Sequence, residues 1–248
     1  MALFKSGNPA LTNNTFTNIG GISDRAMTLQ GTVNKTLILL LIVILSASYT
    51  WNLFLSTYNA DVISPYLLIG SLGGLITAII IIINKKLAPY LTPIYSILEG
   101  LALGGLSAIM EHRFPGIVLQ SILLTFGILF VLLIIYKLRI IKATENFKLI
   151  VSSATFGVML YYLFSLTLSF WDIKLPLIHE SSTGGIIFSL FVVILASANL
   201  VVDFDFIEQG VDNGAPKYME WYGAFGLMVT IIWLYLEILR LLGKSRRR

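Results

Sequence analysis

The chain has no cysteine and only two histidines among its 248 residues. Disulfides and thiolate chemistry are therefore excluded. His112 and His179 fall in different loops with no companion at ligand spacing, so a conventional zinc or haem site is not expected. Charge is scarce too: 12% of residues are Asp, Glu, Lys or Arg, against 56% hydrophobic, and the mean hydropathy is +0.85. Lysine is missing from Tyr218 to Leu242, which excludes a covalent retinal in the last apolar stretch. The Gly-x-Gly-Asp signature of intramembrane aspartyl proteases is absent before Asp203, where the chain reads Asn-Leu-Val-Val, and the Gly-x-Ser-Gly of serine rhomboids is absent as well. No nucleophile and base stand together, so no enzyme activity is expected, and no cofactor.

Apolar sequence in membrane lengths is what the chain has instead. A bilayer core about 30 Å thick takes roughly 20 apolar residues per helix. Seven stretches qualify, at 36–55, 64–84, 91–110, 117–137, 149–171, 184–209 and 217–242. The expected fold is all-α, a polytopic seven-transmembrane-helix bundle over residues 36–248 that follows a flexible tail, 1–35, rich in Asn, Thr and Gly. The first apolar run begins at Leu37, is long enough to span, and lacks the flanks of a cleaved signal peptide, so it is expected to remain in the mature chain.

The basic residues read as topology signals rather than as a nucleic-acid surface. With the N-terminus cytoplasmic, Lys5, Arg25, Lys35, Lys85, Lys86, Lys137, Arg139, Lys142, Lys148 and Lys217 share one side and only Arg113 and Lys174 face them, as the positive-inside rule prefers. Seven crossings would put Lys244 and Arg246 to Arg248 outside. Either the last segment does not cross fully, or earlier loops fix the orientation and the tail is tolerated.

Against this background five acids stand out, because a carboxylate inside an apolar run has little water to solvate it. Glu99 follows Pro93 in the third stretch and precedes Gly100, Gly104 and Ala108, which recur every four residues and leave one face nearly bare for a neighbouring helix. The bland account of Glu99 is a neutral acid donating to a backbone carbonyl. In the sixth stretch Ser189, Ala196, Asn199 and Asp203 share one face, a small and polar stripe suited to a bundle interior. Asp205 points about 200° away from Asp203, at 100° per residue, and with Glu208 reads as interfacial charge. The seventh stretch carries Glu220 in its first turn and Glu237 near its end, three residues before Arg240, the spacing of a local ion pair.

At these residues the chain resembles the Bax inhibitor family of transmembrane proteins, and its bacterial branch in particular. The resemblance covers roughly residues 36–243. It rests on the seven-helix layout, Glu99-Gly-Leu-Ala-Leu-Gly, Thr125-Phe, Val202-Asp-Phe-Asp-Phe-Ile-Glu-Gln-Gly, and Trp-Leu-Tyr-Leu-Glu237-Ile-Leu-Arg. It implies six helices around a central seventh and a pair of carboxylates that titrates and gates a pH-sensitive leak of calcium or other cations. Asp203 matches the family's helix-six aspartate, with Ile207 four positions on. Glu237 matches the helix-seven acid, where the family usually has Asp. The match also implies a bacterial cytoplasmic membrane.

The segment between those two acids is long, however. A straight seventh helix from Lys217 places Glu237 about 30 Å from its start, at 1.5 Å per residue, whereas Glu220 lies closer in depth to Asp203 and Glu99. Motif favours Glu237 as partner of Asp203, and depth favours Glu220. Two carboxylates close together in a low-dielectric site cannot both ionise cheaply, so such a pair would share a proton, and losing it would create an oxygen-rich site for a transient calcium ion on Asp203 and Glu237. The competing expectation is a non-conducting regulator that binds a membrane protease or another membrane protein complex through its small-residue faces and a mobile tail. In either case the surrounding partner is the lipid bilayer.

Overall fold

The computed structural model describes residues 26–169, 171 and 182–247. Lys5, Arg25, Lys174, His179, Arg248 and most of the expected tail lie outside the described residues. Seven helices follow in order: α1 Leu29–Thr57, α2 Ala60–Ile83, α3 Ala88–Arg113 after a single 3-10 turn at Lys85–Leu87, α4 Ile117–Lys137, α5 Glu145–Ser169, α6 Thr183–Asp212 and α7 Met219–Arg246. All seven are long and apolar enough to cross a membrane. The protein is an all-α membrane protein, as its apolar runs predict.

The first helix reaches back beyond the expected boundary at residue 36. Thr28 caps it, its hydroxyl accepting from Gly31 N at 3.0 Å. Gln30 and Asn34, one turn apart, bond through their side chains at 2.8 Å, so polar residues extend the helix ahead of its apolar run. More than half of the apolar windows of α6 and α7 is buried, 56% and 61%, against 22% in α1, α2, α4 and α5. Helices α6 and α7 are thus the most buried, α3 follows at 44%, and the exposed Leu and Ile of the other helices give the apolar surface available to lipid.

The chain packs as two compact units, both discontinuous in sequence. The first joins the described residues 26–118 with Ile207–Met228. In it α3 packs on both α1 and α2. Gly100 and Gly104 face α1 so closely that an added Cβ at Gly104 would fall on Ala47 O and Thr50 Oγ1, and one at Gly100 would reach Val43 O at 2.6 Å. Thr50 Oγ1 crosses the same seam to donate to Leu101 O at 3.0 Å. The α6–α7 connection turns at Gly214, whose φ of 64° is left-handed, and Ala215 O then accepts Met27 N at 2.7 Å. Glu111 closes the α3–α4 turn by accepting from Gly116 N and Val118 N, at 2.5 and 3.0 Å.

The second unit contains Leu119–Phe206 and Val229–Arg248. Thr230 meets Asp203 and Lys244 meets Ser189, the same number of residues apart on each helix, so α6 and α7 run antiparallel in register. Helix α5 lies against both, through Asn199 on α6 and Glu237 on α7.

The glycine contacts set a test. Gly104→Ala is expected to lower stability by about 1–3 kcal/mol, the range for overpacking a fitted interface. Gly127→Ala, with nothing near its added methyl, is expected to be neutral or stabilising. Thermal unfolding of both variants in detergent checks the contrast.

Candidate functional site: the buried acids

Glu220 opens α7, in the first turn where the helix dipole favours an anion. Its carboxyl is fully buried. Oε1 accepts from Thr28 N at 2.9 Å, from the Thr28 hydroxyl at 2.8 Å and from Lys217 Nζ at 2.7 Å, while Oε2 pairs with Lys35 Nζ. Gly31 leaves the space that this carboxyl fills. Lys35 also lies 5.5 Å from the centre of the Trp221 ring. With both oxygens satisfied by two cations and a helix cap, Glu220 is a fastening between α1 and the start of α7.

Asp203 on α6 is fully buried, and its Oδ2 accepts from the Thr230 hydroxyl of α7 at 2.5 Å. Ser189, Ala196 and Asn199, the rest of the stripe read from the sequence, are all buried as well. Asn199 donates to Thr155 Oγ1 at 2.8 Å and to Leu195 O at 2.9 Å, whereas its Oδ1 is buried with no donor among the described residues.

Glu237, 1% exposed, sits in a triad. Its Oε1 accepts from the Tyr162 hydroxyl at 3.0 Å and from Arg240 Nη1 at 2.7 Å, and Arg240 Nη1 also donates to the Tyr162 oxygen at 2.7 Å. The local ion pair expected from the spacing is present, with a tyrosine added from α5. Glu237 Oε2 has no hydrogen-bond partner among the described residues.

Among the described residues the Glu237 carboxyl is not hydrogen-bonded to Asp203. Thr230, which touches Asp203, precedes Glu237 by seven residues, about 10 Å along an uninterrupted helix, and the Glu237 contacts go to Tyr162 and Arg240. Nor do the described residues contain any group of three or more His, Cys, Asp or Glu placed to hold a metal.

Asp205 is not a freely solvated charge. It pairs with Lys148 Nζ at 2.5 Å, and that lysine, read above as a loop cation, is 2% exposed and also meets Glu145 at 3.4 Å. Lys244 is likewise no part of a free tail: it is 4% exposed and donates to Gly185 O at 3.0 Å and Ser189 Oγ at 2.9 Å. Glu99 alone among the five acids is half-buried without a hydrogen-bond donor or cation among the described residues. Sequence reasoning missed Thr28, Tyr162, Thr230 and Thr155. Only Thr230 had a signal, since it lies on the Glu237 face two turns away.

Seven spanning-type helices with acids buried in the last two agree with a match to the family model described as Bax inhibitor 1 like, over residues 8–247. The chain belongs to that family. No curated protein and no solved structure matches it. Membership in the Bax inhibitor 1 like family covers nearly the whole chain, so both units belong to the family domain.

The Glu220 fastening is open to measurement. Lys35→Met removes a charged hydrogen bond from a buried acceptor and is expected to cost about 2 kcal/mol. Adding Glu220→Gln should recover part of that loss. Thermal unfolding of the wild type, both single variants and the double variant gives the coupling, which should be clearly non-zero.

Proposed function

We propose that this member of the Bax inhibitor 1 like family is a pH-sensitive cation leak, with calcium the cation to test first, gated by Asp203 and Glu237. One observation carries the reading: Glu237 Oε2 and Asn199 Oδ1 are buried acceptor oxygens without donors, in the layer where α5, α6 and α7 meet. Buried acceptors are almost always satisfied, and a site that leaves two open suits water or a passing cation. Asp203 lies one turn from Asn199 on the same α6 face and extends the string of oxygens. The family resemblance supports the same direction.

The gate follows from charge. A neutral Asp203 beside Thr230 leaves the string without net negative charge on α6, and a cation meets a low-dielectric barrier there. Ionisation adds an attractive charge and repels the neighbouring acid of α7. Flux therefore rises as pH rises. Glu237 acts with a cation already beside it, so Arg240 sets how much of its charge a passing ion meets. The two acids serve as successive stations, each offering one carboxylate, in place of a single shared site. The basic residue distribution supports a cytoplasmic N-terminus in a bacterial cytoplasmic membrane.

The small-residue faces that a non-conducting regulator would offer to a partner are occupied within the chain, since Gly100 and Gly104 are closed against α1. A partner would then have to engage another surface.

Liposomes loaded with a calcium indicator, assayed across a pH series, test the leak. Wild-type flux is expected to rise with pH, Asp203→Asn and Glu237→Gln to flatten the profile, and Glu220→Gln to keep it in whatever fraction folds. Absence of flux from folded protein at every pH sinks the proposal and returns the regulator to first place.

A further inference from the structure

Glu99 belongs to none of the arrangements above. It lies eleven residues into α3, about 16 Å along the axis, near the middle of a helix long enough to span. Its carboxyl rests against Gly74 of α2, where an added Cβ would stand 2.6 Å from Oε1. No described donor or cation reaches it. One turn earlier, Ser96 Oγ is buried and also without a partner among the described residues.

The surroundings are apolar on both helices. Ile94 and Ile97 on α3, and Leu72, Leu75 and Ile76 on α2, are all exposed on the surface that lipid covers. Charged groups are remote or engaged. The one acid of α2, Asp61, is in its first turn, thirteen residues from Gly74 and about 20 Å away. The α1 cation, Lys35, is held by Glu220. On α3, Glu111 caps the next helix, and His112 and Arg113 follow it at the far end. Tyr95, one turn before Glu99, is buried with its ring edge on Phe225.

A carboxylate in such a place would have neither water, cation nor hydrogen-bond donor, whereas the neutral acid needs none of them. We propose that Glu99 is a proton-binding carboxyl reached from the hydrocarbon side of the α2–α3 groove, neutral at neutral pH and exchanging its proton independently of the acids of α6 and α7. It does not depend on the leak. Protein that passes no calcium would carry the same site.

Hydrophobic carbodiimides report such groups. The acid proton passes to one carbodiimide nitrogen as the carboxyl oxygen adds to the central carbon, and migration of the acyl group to nitrogen leaves a stable N-acylurea with nothing expelled. The full chain in liposomes is treated with N,N′-dicyclohexylcarbodiimide across a pH series, and the modified peptide is identified by mass spectrometry. Glu99 is expected to gain one reagent molecule, with labelling that fades as pH rises. A water-soluble carbodiimide should leave it unmodified. Glu99→Gln should lose the label, and Asp203→Asn should keep it unchanged. Folded wild-type protein unlabelled at Glu99, equal labelling by the water-soluble reagent, labelling insensitive to pH, or loss of the label in Asp203→Asn would each overturn the proposal.

Discussion

A carboxylate carried into the apolar interior of a helical bundle must find donors there, because the water it leaves behind is worth several kcal/mol per ion. That requirement organises most of this molecule. Glu220 takes two lysines and a helix cap, Asp205 takes a lysine from α5, Glu237 takes an arginine and a tyrosine, and Asp203 takes a threonine hydroxyl. Each pairing fixes one helix against another at a set height, so the electrostatic demand and the helix register are the same constraint. Compensation is graded. Glu220 is fully answered and behaves as structure, whereas Glu237 retains an oxygen with no donor and so remains chemically available.

Close backbone approach is the complementary device. Without a hydrophobic drive between helices in lipid, van der Waals contact must come from backbones that can touch, and glycine supplies it. Gly100 and Gly104 bring α3 onto α1, and Gly70 does the same for α2 against Leu98 O and Ala102. These contacts position Glu99 in its groove without offering its carboxyl any partner. Packing and charge compensation are thus separable within the first unit.

How much of this was legible in the sequence varies with the physics of each feature. The seven helices were, since an apolar run long enough to cross a bilayer has few other interpretations. Their ends were not: Gln30, Asn34 and Lys35 are polar but continue α1, held by a side-chain bond and by Glu220. The acids were visible because charge is so scarce in the chain. Their partners were hidden, because periodicity gives the face of a residue but not which helix lies opposite. Nothing separates Tyr162 or Thr155 by pattern from the other tyrosines and threonines of α5. Lys148 and Lys244 looked like loop and tail charges; their long stems lie along buried helix surface and deliver the ammonium to an interior acceptor.

The bond between Lys35 and Glu220 joins positions 185 residues apart. Chains are made from the N-terminus and their segments fold in that order. Helices α1 to α3 therefore enter the membrane with an unanswered ammonium at the edge of α1, and it stays unanswered through the synthesis of α4, α5 and α6. Only when the start of α7 emerges does the first unit receive its counter-charge, and the same helix then completes the second. The fastening of α1 to α7 is therefore a late step in the making of the chain, and until then α1 is held by its close packing on α3.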